Sequence, residues 1–147
     1  MANIERRYVA DVLTPLGMSS SDFDSFVESM RNDSKFYVST PQQLLDTYKS
    51  LTNEINDIMP KYFKDMPSSP LDIASKQGGP AAYYIAGTAD GKRPGRFYVN
   101  VSHIEKRPLY ETVALALHEA IPGHHHQLSL ALENTRLPFV CACSGLV

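Results

Sequence analysis

The sequence predicts a mostly α chain of the α+β class, with N-terminal helices, one β-hairpin and a kinked motif helix. Three observations carry this. Apolar residues recur at helical spacing in three segments of the first 63 residues, broken at RNDSKFYVS and restarted at Thr40. Two strand-like runs, AAYYIAGT and GRFYVNVS, flank an Asp90-Gly91 turn signal. A Pro122-Gly123 pair then interrupts an apolar helix rich in histidine. At 147 residues the chain suits a single domain with a real core. Its parts read as N-terminal helices over 1–63, a connector and hairpin over 64–102, a motif helix over 106–135 and an atypical tail over 136–147.

Taken in order, Ile4, Tyr8, Val9, Val12 and Leu13 share one helical face between Ile4 and Leu16, and Gly17 supplies a C-cap. A second helix runs from about Ser21 to Met30 with Phe23, Phe26 and Met30 inward. The third is the clearest. Thr40 suits the N-cap, Pro41 the first helical position, and Gln43 completes a capping box. Leu44, Leu45, Tyr48, Leu51, Ile55, Ile58 and Met59 form its apolar stripe, and Pro60 ends or kinks it. KDMPSSPLDIASKQGGP reads as a turn-rich connector without usable periodicity. Residues 81–102 read as the hairpin. Pro108 and Glu111 open the last helix, TVALALHEA, which continues beyond the Pro-Gly as HHHQLSLALE.

Bulk chemistry narrows the function classes. A net charge of −2 offers no basic footprint for nucleic acid and no polybasic patch for a membrane surface. No apolar run approaches the roughly 18 residues a membrane span needs. The N-terminus MANIERRYVADVL lacks a signal-peptide core, so a cytoplasmic location is expected if Met1 is the true start. Cys141 and Cys143 are too close for a well-formed disulfide and too few for a structural zinc site, and read as reduced thiols.

The chemistry concentrates in LALHEAIPGHHHQLSLALE. His118 and Glu119 begin it like the zinc motif H-E-x-x-H, whose histidines four apart share a helix face. Here the fifth position is Pro122. On a regular helix His118 and His124 would stand ~120° apart around the axis and about 9 Å along it. His118 and His125 would share a face but be separated by roughly 10.5 Å. Neither pair would chelate one ion. Pro122, however, cannot donate to the His118 carbonyl and crowds it, while Gly123 tolerates a backbone closed to other residues. A local bulge there would bring His118 and His124 together, and this pair is preferred over His118 and His125. A histidine-rich solvated face or an adventitious metal binder is the competing reading. The setting favours a site, since TVALAL is apolar on every side and a buried His-Glu pair is costly unless it is paired or metal-bound.

The segment GRFYVNVSHIEKRPLYETVALALHEAIPGHHHQLSLALE resembles the signature of the family called domain of unknown function 885, itself similar to zinc metallopeptidases of the gluzincin type. The matching residues are Phe97 to Asn100, Arg107, Pro108, Tyr110, Glu111, His118, Glu119, Pro122 to His125 and Gln127. With weaker upstream matches the resemblance covers roughly residues 35–135. It implies part of a larger metallopeptidase-like fold holding one zinc ion, with His118 and His124 as ligands and Glu119 as general base. It also implies that the FYVN strand is a sheet edge on which substrate lies, with Tyr98 and Asn100 as substrate-binding residues. The substrate would be a peptide or a small amide or ester. His126 departs from the family's apolar residue and reads as a surface substitution. The third ligand is expected on a downstream helix of a longer chain, with Glu133 a poor stand-in. Exposed apolar surface is expected where that missing C-terminal region would dock. A non-catalytic fragment, pseudoenzyme or interaction module is the alternative function.

Overall fold

The computed structural model describes residues 6–134. The chain divides into two compact units, Met1–Tyr37 and Val38–Val147, so the boundary falls inside the predicted helical region 1–63.

In the first unit the predicted N-terminal helix is irregular. It widens to a π-helix over Val9–Leu13 and tightens to a 3₁₀ turn over Thr14–Leu16. Pro15 has no N–H for the Asp11 carbonyl and its ring crowds that group, which is reason enough for the local change of pitch. Gly17 ends it at φ 72°, as predicted, donating to the Thr14 carbonyl at 3.0 Å while Met18 donates to Leu13 at 2.9 Å. Helix α1, Phe23–Asn32, follows, and Tyr8 meets the Phe23 ring edge-on at 5.3 Å. Ile4 lies outside the described residues.

The second unit begins with α2, Pro41–Ile58. Its predicted cap is complete. Gln43 donates its N–H to Thr40 Oγ1 at 3.2 Å, and Thr40 donates back to Gln43 Oε1 at 3.1 Å. Leu44, Leu45, Tyr48, Ile55 and Met59 are buried. Ile58, assigned to the stripe, is exposed, and Thr52 takes a buried place instead. Positions 48, 52, 55 and 59 keep strict 3.6-residue phase, and Ile58 is one step off it. The α-helix ends at Ile58, before Pro60.

Three strands form one sheet in the order β1-β3-β2: β1 Leu71–Lys76, β2 Ala82–Ile85 and β3 Gly95–Asn100. The predicted hairpin is β2–β3, antiparallel with Tyr83 opposite Tyr98. Two expectations are corrected here. The supposed connector contains β1, which runs parallel to β3 with Leu71 opposite Gly95. With only Leu71 and Ile73 as apolar beats between Ser-Pro and Gly-Gly punctuation, its period-2 signal is too short to read. FYVN is consequently the central strand, not an edge.

Strand alternation separates two faces. Phe97 and Val99 point inward, where Tyr48 of α2 meets the Phe97 ring edge-on at 5.4 Å. Ala82, Val101, Ala116, Ala120 and Ile121 complete this core with the α2 residues. Arg96, Tyr98 and Asn100 alternate onto the other face. The last two helices are α3, Thr112–Glu119, and α4, His124–Glu133. The motif is therefore two helices with a four-residue turn between them, a larger break than the bulge predicted. Nor is α3 buried all round. Thr112, Ala116 and Glu119 face inward, while Val113 and Leu117 are 48% and 40% exposed. Among the described residues, no helix is long and apolar enough to cross a membrane.

Candidate metal centre

The turn between α3 and α4 is built by the residues that spoil the sequence motif. Helix α3 closes when Ala120 donates to the Ala116 carbonyl at 2.9 Å. Pro122, in a cis peptide with Ile121, has no N–H to offer His118. Gly123 then packs against that carbonyl, so closely that a side-chain Cβ there would overlap the carbonyl group of His118. His125 donates across the turn to Ala120 at 3.1 Å, and Gln127 to Gly123 at 3.0 Å, starting α4.

This geometry brings together His118, Glu119 and His124. One donor atom from each lies within 4.8 Å of the others, and the two imidazole rings are edge-to-face with centroids 4.8 Å apart. The six-residue spacing is thus folded into contact, as the Pro-Gly reading required. Two imidazoles with a carboxylate beside them could hold a metal ion. Glu119 is only 8% exposed, and among the described residues its carboxylate has neither hydrogen bond nor ion pair. His118 is exposed, not buried as the apolar run before it suggested, and His124 is half-buried.

The other two histidines serve differently. His125 is 2% exposed and turned into the core. Its Nδ1 meets Tyr84 Oη at 3.0 Å and Ser129 Oγ at 3.4 Å. Burial holds its pKa below the ordinary histidine value, opposed by a hydrogen bond to the Ser69 backbone. Burial likewise raises the Tyr84 hydroxyl above its ordinary value. His126 is buried, which corrects its reading as a surface substitution. Its ring lies 5.0 Å from that of Phe63, and its Nδ1 has no partner among the described residues. A surface reading fails here because α4 is covered on more than one side.

Tyr98 and Asn100 are not brought to the cluster. Tyr98 stacks on Tyr83 at 4.9 Å on the outer sheet face, with the Arg96 guanidinium 5.8 Å from its ring. The Asn100 carboxamide donates to the Gly79 carbonyl at 2.8 Å and accepts from the Ser102 N–H at 2.9 Å, holding two loops. Glu133 accepts from Ser68 and Ser69 N–H at 2.9 and 3.0 Å, so its carboxylate is committed to that loop. A cleft of about 320 Å³ borders the motif turn through Ile121 and His125 but does not include the cluster. The roles of Gly95, Tyr84 and Ser129 carried no sequence signal, because their meeting depends on which strand lies beneath α4. Cys141, Cys143 and the tail 136–147 lie outside the described residues.

A search of curated proteins returns no match. Among solved structures, the chain is similar to a candidate lipoprotein from Colwellia psychrerythraea, at 26% identity with a TM-score of 0.73. The similarity covers 79% of this chain and 21% of that one, so the chain spans about a fifth of the length of this relative. The sequence model of one family matches residues 1–146, extending beyond the motif block at both ends. With that match over nearly its whole length, the chain belongs to the family described as bacterial protein of unknown function, DUF885.

Proposed function

We propose that this chain carries the metal-binding motif of a zinc-dependent hydrolase, most simply a peptidase. His118 and His124 would hold the ion, and Glu119 would act as general base. The carrying observation is the mutual approach of their donor atoms to within 4.8 Å. Bound zinc supplies polarisation of a carbonyl and acidification of a water. Glu119, nearly buried and free of protein partners, is suited to accept and return a proton beside it. His118 is exposed and His124 half-buried, so the cluster is accessible to substrate. Peptides, small amides and esters share this chemistry, and a peptide is the substrate class we favour.

Purified protein is expected to bind one zinc per chain, with binding lost in His118→Ala and His124→Ala. Glu119→Gln should keep the ion and lose hydrolysis of a quenched peptide library. Full zinc retention in both histidine variants would refute the assignment. A second reading is favoured by one observation: among the described residues no further donor joins the cluster. On that reading the 147-residue chain binds zinc weakly and does not turn over, the remaining donor coming from another segment of a longer chain. Activity in the 147-residue chain alone decides against it.

A further inference from the structure

We infer that Tyr84 and His125 are a positioning pair that aims His124 at His118, and that Gly95 is kept without a side chain so that the pair can close. The inference rests on the reading of His118, Glu119 and His124 as a metal site. Helix α4 begins at His124 with no side-chain cap, since its N-cap is Gly123. Its first turn therefore needs another restraint on rotation about its axis. His125 provides it. Tyr84 Oη of β2 approaches its Nδ1 at 3.0 Å, and Ser129 Oγ one turn along α4 lies at 3.4 Å. One buried side chain so ties the start of α4 to strand β2.

Neighbouring residues on an α-helix are fixed about 100° apart. Holding His125 toward Tyr84 therefore sets the direction in which His124 leaves the helix. Gly95 of β3 lies directly under this contact. A Cβ there would overlap Tyr84 Oη and stand 2.8 Å from His125 Nδ1. Any side chain at 95 would push the two apart. At the other end of the turn, the seat of Gly123 against the His118 carbonyl fixes the second ligand. The two contacts hold the two imidazoles from opposite ends of the turn. Tyr84 and His125 touch neither the ion nor substrate in this scheme; they act through His124.

The test uses the 147-residue chain and zinc, titrated against a chromogenic chelator well below the unfolding temperature. Tyr84→Phe, Gly95→Ala and His125→Leu are expected to weaken zinc binding by ten-fold or more, the range seen when groups supporting a ligand are removed. His125→Asn, which keeps a polar atom near the Nδ1 position, should recover part of that loss. Val99→Ala, a core truncation away from α4, is the control: it should lower thermal stability and leave zinc affinity unchanged. In metal-free protein, the His125 and Gln127 amides should exchange at least ten-fold faster in Tyr84→Phe, with the α2 amides unaltered. Wild-type zinc affinity in both Tyr84→Phe and Gly95→Ala overturns the inference, as does an equal loss in Val99→Ala. Unchanged amide exchange also overturns it. If Gly95→Ala does not fold, the subtractive Tyr84→Phe still decides. Absence of zinc binding by the wild type is a separate outcome, which removes the metal reading and this inference together.

Discussion

Helix α2 and the α3–α4 junction are both helical, both contain proline, and are built on opposite principles. At the start of α2 every local device is satisfied locally: Pro41 sits where a missing N–H is harmless, and Thr40 and Gln43 exchange hydrogen bonds. At the junction the proline falls inside the predicted helical run, and α4 starts without a side-chain cap bond. A nearly buried carboxylate there goes without a protein partner among the described residues. Where a fold breaks its own rules without local compensation, the compensation is sought in function. Here the broken rules converge on three donor groups within 4.8 Å.

The sharpest way to break this comparison is Gly123→Ala. Its Cβ has no room against the His118 carbonyl, which is backbone and cannot swing aside. Relief requires the turn to open, so zinc binding should disappear and stability should fall by about 3 kcal/mol, at the upper end for overpacking. Urea denaturation and zinc titration of one sample measure both. Retained zinc binding would mean that the turn does not set the ligand geometry. Leu44→Ala makes the opposite case in α2. Leu44 is buried in the core, and its truncation should cost about 3 kcal/mol. Zinc affinity of the folded protein should not change. A destabilisation of similar size at both sites, with opposite effects on the ion, is what the contrast requires.

The same contrast explains what could be read in advance. The α2 cap and stripe were legible because their chemistry lies within four residues along the chain. The Gly17 cap was legible for the same reason. The approach of His118 to His124 was legible because Pro122 acts on the carbonyl four residues back. Strand β1 was not, since two apolar beats give no phase and its partner β3 is distant in sequence. The depth of His126 and the outward placement of Tyr98 depend on which faces the sheet and helices cover. That is tertiary information, and TVALAL could not show that Val113 and Leu117 lie on an open side.

Glu119→Gln tests whether the carboxylate at the junction is structurally engaged. It has no protein partner among the described residues, so the amide should leave the stability of metal-free protein unchanged while hydrolysis is lost. Loss of activity without loss of stability is the expected signature. A clear loss of stability would show that the carboxylate is held by the fold and not left free for chemistry.

The smallest effect is expected at the best-satisfied position. Thr40→Ala removes the hydroxyl that accepts from Gln43 N–H at 3.2 Å. Gln43 Oε1 still accepts from the backbone N–H groups of Ser39 and Thr40, at 2.9 and 3.1 Å, so half of the box survives. The loss should be about 1 kcal/mol, read as a modest fall in the urea midpoint. Zinc affinity should be that of the wild type, because nothing in the cap bears on the turn at 120–123. If the affinity falls with the cap, then α2 and the junction are energetically one structure, and the division between locally satisfied scaffold and unsatisfied site does not hold for this protein.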